Sequence, residues 1–151
     1  MHMLKVGDKL PDFSCLDDKG NIITQNDFVG KKVVLFFYPR ANTPGCTAQA
    51  CNLSENYEKL TSNGYAIFGV SADTIKNQAS FSNKFGFPYP LLADTKKVLI
   101  ESFGVWGFKK FMGKEYEGII RTTFVLDENA IIVRVIDNVK TKDHTSQILY
   151  D

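Results

Sequence analysis

The stretch KKVVLFFYPRANTPGCTAQAC, residues 31–51, decides the fold class, because it joins a long apolar run to a turn and a helical segment. Val33 to Tyr38 form an unbroken run of β-branched, aliphatic and aromatic residues, which is typical of a strand buried on both faces. Pro39 ends this run, and apolar residues at helical spacing follow it. We therefore expect a central strand of a mostly parallel sheet, followed by a helix over about 46–62.

The segments around this stretch alternate between strand and helix patterns. Two short strands are expected around the turn DKGN at 18–21, a strand at 65–71, and a helix at 73–86 that starts at Asp73 and stops at Gly86. A short strand at 89–94, a helix at about 95–103, a hairpin over 121–137 and a short terminal helix complete the order. Alternating strands and helices predict a three-layer α/β fold with a mixed central sheet.

Length and charge limit the possible functions. The chain has 151 residues, which predicts one domain spanning 1–151. Its net charge of +1 gives no electrostatic reason to expect a nucleic acid or an anionic membrane as partner. No segment approaches the roughly 20 apolar residues that cross a bilayer, and the N-terminus has no secretory pattern. We therefore expect a cytoplasmic protein, in which thiols are normally reduced.

Two of the three cysteines, Cys46 and Cys51, lie within the segment TPGCTAQAC. Cys46 is expected in the first turn of a helix that follows a strand, where unpaired N–H groups and the helix dipole stabilise a thiolate. Thr43 places a hydroxyl three residues earlier, and Gly45 allows the backbone to pass close to a bound molecule. In this context Cys46 is better interpreted as a reactive thiol than as an inert buried cysteine.

The spacing between the two cysteines does not favour a disulfide within an intact helix. Five residues of ideal helix separate the Cα atoms by roughly 8.6 Å, whereas a disulfide tolerates at most about 7 Å. Either the two thiols never bond, or bonding unwinds part of the helix. The C-x4-C spacing also differs from the C-x-x-C of thioredoxin-type dithiols.

Other chemistries for this thiol have less support in the sequence. A structural zinc site needs four ligands, and three cysteines with two distant histidines do not supply them, so no metal is expected. A Cys–His hydrolase needs a histidine base, and only His2 and His144 exist. Arg121, at the start of the strand RTTFVLD, is the better candidate partner, since a guanidinium can hold a thiolate and bind an oxygen substrate together.

The motif P-x-x-x-T-x-x-C, present as Pro39, Thr43 and Cys46, resembles that of the peroxiredoxins. The second cysteine five residues later is similar to the Q-type subgroup, also called bacterioferritin comigratory protein. The resemblance extends over nearly the whole chain, including FGVWGFKKFMGKEYEGIIRTTFVLDENAIIVRVI, which leads to the family arginine at Arg121. It implies a thioredoxin-like fold with an additional N-terminal β-hairpin.

The resemblance also implies roles for individual residues. Cys46 would be the peroxidatic cysteine, Cys51 the resolving one, and Thr43 and Arg121 the groups that activate the peroxide. Pro39 would shield the thiolate. A Cys46–Cys51 disulfide would form and be reduced by thioredoxin or a similar dithiol. Thr43, Gly45 and Arg121 would contact the hydroperoxide. No cofactor is implied, and the resemblance favours a monomer. Many relatives carry glutamate where this chain has Gln49, and Cys15 matches no functional position of the family.

Two other functions use the same residues. A dithiol–disulfide oxidoreductase would act on protein substrates without a peroxide step, and a redox sensor would pass its disulfide to a partner. Thr43 and the C-x4-C spacing favour the peroxidase over the oxidoreductase. The aromatic-rich segment FGVWGFKKFMG, 103–113, is either a mobile loop that covers the site or meets a partner, or an excursion packed on the core.

Overall fold

The computed structural model describes residues 2–150 and leaves out the side chain of Phe111. Met1 and Asp151, the ends of the expected domain, lie outside the described residues. The strands are β1 (Ser14–Asp17), β2 (Ile22–Thr24), β3 (Lys32–Phe37), β4 (Tyr65–Ser71), β5 (Leu91–Ala93), β6 (Trp106–Phe111), β7 (Lys114–Ile119), β8 (Thr122–Leu126) and β9 (Ile132–Ile136). The helices are α1 (Pro44–Glu55), α2 (Tyr57–Ser62), α3 (Ile75–Phe85), α4 (Val98–Phe103) and α5 (His144–Tyr150).

Seven strands form one mixed sheet in the order β2-β1-β5-β4-β3-β8-β9. The neighbours β3, β4 and β5 run parallel, whereas β8 lies antiparallel to β3 and β9 antiparallel to β8. The N-terminal hairpin β1–β2 joins the sheet beside β5. The α/β architecture with a mixed central sheet and an N-terminal hairpin is therefore confirmed.

Strand β3 is apolar throughout because both of its faces are covered. Val33, Leu35 and Phe37 belong to one hydrophobic cluster, together with residues of α4. Val34 and Phe36 alternate with them and belong to a second cluster, to which α1, α2, α3 and α5 contribute. Side chains alternate between the faces of a strand, so a strand between two helical layers needs apolar residues at every position.

Two helix starts differ from the sequence expectation because a neighbouring residue caps the helix. Helix α3 begins after Thr74, whose side chain accepts a hydrogen bond from Asn77 N, and Asp73 is not its cap. Helix α4 begins at Val98 rather than near residue 95. The carboxylate of Asp94 accepts hydrogen bonds from Val98 N at 2.9 Å and Ile100 N at 2.8 Å, which fixes this later start.

The helix expected over about 46–62 is two helices, divided at Asn56. The Nδ2 of Asn56 donates to Asn52 O at 2.8 Å, whereas its backbone N–H reaches the same oxygen at only 3.3 Å. Asparagine side chains compete with the backbone for such carbonyls, which weakens the helix at this residue. The reactive segment therefore lies in a separate 12-residue helix.

The aromatic-rich segment 103–113 leads into a β-hairpin that the sequence analysis missed. Strands β6 and β7 pair with each other in a separate two-stranded sheet. Their turn places Met112 and Gly113 at φ values of 52° and 79°. Such turns usually carry Asn-Gly or Asp-Gly, so Met-Gly gave no signal. Phe103 packs in the core, as the second interpretation expected, whereas Phe108 is 76% exposed on a strand of the hairpin rather than on a loop.

His144, at the start of α5, is a buried part of the packing. Its Nε2 and Thr123 Oγ1 are 2.8 Å apart, and its Nδ1 lies 2.8 Å from Gln147 Oε1. Burial lowers the pKa of His144 below its ordinary value of 6.5, against a smaller opposite effect of the Gln147 hydrogen bond. Both ring nitrogens are engaged by residues other than Cys46, so His144 is not the base of a Cys–His pair.

We expect His144 to make stability depend on pH. The unfolded chain binds a proton at this residue near pH 6.5, whereas the folded chain resists it, so stability falls as pH drops from 7.5 to 5.5. His144→Gln should lower the free energy of unfolding at pH 7.5 by about 1–3 kcal/mol, because Thr123 Oγ1 and Gln147 Oε1 lose their buried hydrogen-bond partner. It should nevertheless show a smaller further loss at pH 5.5 than the unmodified protein.

Urea unfolding of the reduced protein at the two pH values measures both quantities. His2→Gln, which changes the exposed histidine, is the matched control. An equal loss of stability on acidification in the unmodified protein and in His144→Gln would contradict this assignment.

Candidate active site

The sheet topology brings Arg121 to the reactive helix. Strand β8 runs antiparallel to β3, and Thr122 at its start pairs with Phe37 at the end of β3. Arg121, one residue earlier, therefore lies at the carboxyl end of β3. Helix α1 begins beyond that same end, after the loop that follows β3, so Cys46 and Arg121 meet although they are 75 residues apart in sequence.

Helix α1 starts as the sequence predicted. Thr43 is its N-cap residue, with extended backbone, and Pro44 occupies the first helical position, where a missing N–H costs nothing. A backbone hydrogen bond runs from Thr47 N to Thr43 O at 2.8 Å. The N–H groups of Gly45 and Cys46 precede it, in the turn where helices leave such groups unpaired.

The guanidinium of Arg121 joins two residues of α1. Its Nη2 donates to Cys46 Sγ at 3.4 Å, and its Nη1 donates to Gln49 Oε1 at 2.7 Å. Cys46 and Gln49 are three residues apart and therefore lie on one face of the helix. Both residues are buried, with exposed fractions of 1% and 0%, whereas Arg121 itself is only partly buried.

Gly45 makes room for this arginine. A Cβ atom at position 45 would lie 3.1 Å from Arg121 Nη2, closer than side chains normally approach. The glycine therefore permits a close approach between the guanidinium and the first turn of α1, and a side chain at this position would require the arginine to move by a few tenths of an ångström. The sequence analysis expected Gly45 to let the backbone pass close to a bound molecule. In the structure, the group that lies beside Gly45 is the guanidinium of Arg121.

Gln49 has one satisfied and one unsatisfied group. An arginine can only donate, so the atom facing Arg121 must be the carbonyl oxygen Oε1. The amide nitrogen Nε2 is buried and has no hydrogen-bond partner among residues 2–150. A buried donor without a partner costs about 1–3 kcal/mol, which a bound molecule would recover.

Thr43 and Pro39 lie on the loop between β3 and α1. The hydroxyl of Thr43 donates to Arg40 O at 2.9 Å, which leaves the oxygen lone pairs available as acceptors. Pro39 is half-buried and follows Tyr38, which is buried. The loop ends with Asn42 in the left-handed region at φ 61°, a conformation that asparagine tolerates better than most residues.

A chain of hydrogen bonds that the sequence analysis missed anchors this loop. The Tyr38 hydroxyl donates to Gln78 Oε1, and Gln78 Nε2 donates to Ser71 Oγ at 2.9 Å. Ser71 Oγ donates to Asp73 Oδ2 at 2.7 Å, and the same carboxylate oxygen accepts from Ala41 N at 2.8 Å. Asp73, expected to start a helix, instead ties the active-site loop to the core.

The two cysteines of α1 differ in their surroundings. Cys46 is buried beside a guanidinium, and positive charge next to a sulfur stabilises its thiolate form. Cys51 is half-buried further along the same helix, and partial burial followed by the charge of Glu55 raises its pKa. All three cysteines are free thiols, and α1 is continuous through both positions. Both thiols are therefore reduced in this structure, and their surroundings differ.

Cys15 lies apart from this site, on β1. It borders a cavity of about 490 Å³ between β1 and the starts of α3 and α4. Burial and the charge of Asp94 raise the pKa of Cys15 to about 12. A thiol that stays protonated is a poor nucleophile, so this cavity does not compete with Cys46 as a reactive site.

The comparisons with known proteins agree with this geometry. The family model described as AhpC/TSA matches residues 6–135. A putative peroxiredoxin Bcp of Haemophilus influenzae is 42% identical over 149 residues, covering 99% of this chain and 96% of its own. Peroxiredoxin Bcp of Bacillus subtilis is 38% identical over 146 residues, covering 97% and 93%.

Solved structures show the same similarity. A mutant of Xylella fastidiosa PrxQ superposes with a TM-score of 0.91 at 29% identity, covering 99% of this chain and 94% of the other. Peroxidoxin BcpB of Mycobacterium tuberculosis gives a TM-score of 0.84 at 34% identity, covering 97% and 94%. The chain therefore belongs to the AhpC/TSA family, among the peroxiredoxins of the Q or Bcp type. It is a thiol-dependent peroxidase with a thioredoxin-like fold.

We expect Gly45→Ala to separate stability from activity. Alanine favours a helix over glycine by about 1 kcal/mol, so unfolding should require at least as much free energy as in the unmodified protein. The new methyl group displaces Arg121 from Cys46, so the second-order rate of hydrogen peroxide consumption should fall about tenfold or more, since a shifted guanidinium loses transition-state stabilisation.

Ala48→Gly, the opposite substitution in the same helix, is the control. It should lower stability without slowing the reaction, because it does not alter the space beside the guanidinium. An unchanged peroxide rate in Gly45→Ala would show that the close approach is not needed.

Proposed function

We propose that Cys46 is the peroxidatic cysteine and that Arg121 and Thr43 activate the hydroperoxide beside it. The observation that carries this proposal is the 3.4 Å contact between Arg121 Nη2 and the sulfur of Cys46, in the first turn of α1. The guanidinium and the helix N-terminus both favour negative charge at that sulfur. Hydrogen peroxide and organic hydroperoxides are the proposed substrates.

The first step transfers one oxygen atom to the sulfur. The Cys46 thiolate attacks the distal oxygen of the hydroperoxide, the O–O bond breaks, and the alkoxide or hydroxide takes a proton to leave as alcohol or water. Cys46 becomes a sulfenic acid. Arg121 donates to the peroxide oxygens as charge moves onto the leaving group, and Thr43 Oγ1 accepts from the peroxide OH. The unpartnered Nε2 of Gln49 supplies one further donor at this site.

The second step is a condensation between the two cysteines of α1. The Cys51 thiol attacks the sulfenic sulfur of Cys46, a disulfide forms, and water is released. A dithiol reductant, proposed to be thioredoxin or a similar protein, then attacks the disulfide and restores both thiols. Pro39 would limit access of other groups to the thiolate while the cycle runs.

This condensation requires α1 to open. The helix keeps the two Cα atoms roughly 8.6 Å apart by its standard rise and turn, beyond the reach of about 7 Å that a disulfide allows. Each helical hydrogen bond that breaks costs net about 1 kcal/mol. The break at Asn56 limits the opening, because α2 begins anew at Tyr57 with its own packing through Leu60.

We expect Cys46→Ser to abolish peroxide reduction. Serine has no thiolate to attack the peroxide, so hydrogen peroxide consumption with a thioredoxin system should fall to background. Cys15→Ser is the matched control and should keep nearly full activity, because its thiol stays protonated and lies apart from the site. Substantial turnover by Cys46→Ser would end the assignment. A dithiol oxidoreductase or sensor would instead form its disulfide without consuming peroxide catalytically.

We expect formation of the 46–51 disulfide to loosen α1 while α2 stays protected. Amide hydrogen exchange across residues 44–54, compared between the reduced protein and the oxidised form, measures the opening, and residues 57–62 serve as the internal control. Exchange in the first segment should become faster on oxidation because helical hydrogen bonds are lost. An intact α1 after oxidation, or a disulfide between two chains, would contradict Cys51 as the intramolecular resolving thiol.

A further inference from the structure

Lys109, in the middle of β6, reaches back to the segment that delivers Arg121. Its Nζ donates to Ile119 O at 2.8 Å, at the end of β7 and two residues before Arg121. Its aliphatic stem passes over Gly118, where an added Cβ would lie 3.5 Å from Lys109 Cδ. The β6–β7 hairpin forms its ladder only within itself, and this contact holds the end of β7, from which the chain continues through Ile120 to Arg121.

Lys109 lies near enough to Arg121 and Cys46 for their charges to act on its ammonium group. Partial burial lowers the pKa of Lys109, the Arg121 charge lowers it further, and the Cys46 charge raises it. The ammonium group therefore lies within electrostatic range of both residues. Among residues 2–150, neither Lys109 nor Arg121 has a carboxylate oxygen within 4.0 Å. Neither cation is therefore paired with an acid in the part of the chain that the structure describes.

We propose that Lys109 is a positioning residue of the peroxidase reaction, which fixes the segment from Ile119 to Arg121 and adds a second positive charge at the Cys46 sulfur. The inference rests on the function proposed above for Cys46. Arg121 touches the reacting sulfur directly, whereas Lys109 acts through the backbone of β7 and through space. Loss of the lysine should therefore weaken the reaction without abolishing it.

The other titratable groups near the Cys46 thiol do not obscure its pH dependence. Tyr38, at the end of β3, is held neutral because burial raises its pKa well above the ordinary value. His144, on α5, senses the Arg121 charge and has its pKa lowered, mainly by burial. Arg121 stays charged throughout. Removal of the Lys109 charge should therefore shift the titration of the thiolate itself toward higher pH.

The chain supplies a matched control in the next residue. Lys110 pairs in register with Glu115 and forms a salt bridge with it at 3.5 Å, with both side chains exposed. Successive residues of a strand point to opposite faces, so Lys110 lies on the face away from Lys109. Lys110→Met removes the same charge and keeps a long unbranched side chain, and it does not alter the contact between Lys109 and Ile119.

The test compares Lys109→Met, Lys109→Arg and Lys110→Met. Stopped-flow measurement gives the second-order rate with hydrogen peroxide from pH 5 to 9. In a Cys51→Ser background, the neutral reagent iodoacetamide reports the Cys46 thiolate separately. Lys109→Met should slow the peroxide reaction about three- to tenfold, a modest loss of transition-state stabilisation. It should also move the acid limb of both pH profiles to higher pH. Lys109→Arg should restore the profiles, and Lys110→Met should match the unmodified protein.

Several results would overturn the proposal. These are an unchanged rate and profile in Lys109→Met, an equal effect in Lys110→Met, or a slower reaction with an unshifted profile that arginine does not rescue. Thermal unfolding of each variant identifies loss of structure, and a variant that unfolds is replaced by Lys109→Gln. Iodoacetamide needs no peroxide chemistry, so a shifted alkylation profile would support the lysine even if Cys46 proved not to be peroxidatic.

Discussion

The two-pronged hydrogen bonding of Arg121 to α1 is the interaction on which the rest of the site depends. One guanidinium holds a buried sulfur and a buried amide oxygen on the same helical face. The contact depends on antiparallel β8 starting where parallel β3 ends, and glycine at the second position of the helix leaves room for the guanidinium. Burial of the sulfur matters because a cation stabilises a thiolate more strongly where the surroundings are less polar than water, and here the partly buried Arg121 contacts a buried sulfur.

The site combines a loop and a sheet that are held by many contacts with a short helix that can open. The hydrogen-bond chain from Tyr38 to Asp73 anchors the loop in front of α1, and the sheet anchors Arg121. Helix α1 itself ends at Glu55, before the break at Asn56, and its buried residues pack in one hydrophobic cluster. Such a helix can open over a few turns while the sheet and α2 keep their packing, which is what alternation between a thiol pair and a disulfide needs.

Electrostatic asymmetry separates the three thiols by function. The thiol beside a guanidinium and a helix N-terminus has positive charge near it, whereas burial and nearby carboxylates raise the pKa of Cys15 and Cys51. In the proposed cycle, Cys46 is the sulfur that a peroxide meets. Cys51, as the proposed resolving thiol, need not be activated in the same way, because its reaction would follow a structural change that alters its surroundings.

Much of this protein follows from its sequence. The apolar run Val33 to Tyr38, the Pro-Gly helix start and the two cysteines determine a central buried strand, a reactive helix N-terminus and a thiol pair, because these depend on periodicity and local backbone chemistry. The tertiary structure decided which distant residues contact the reactive helix and its loop. Gln49 beside Arg121, Asp73 on the loop and Lys109 on an unexpected hairpin are contacts across long stretches of chain. Strand order and turn geometry set them, and neither leaves a pattern in the local sequence.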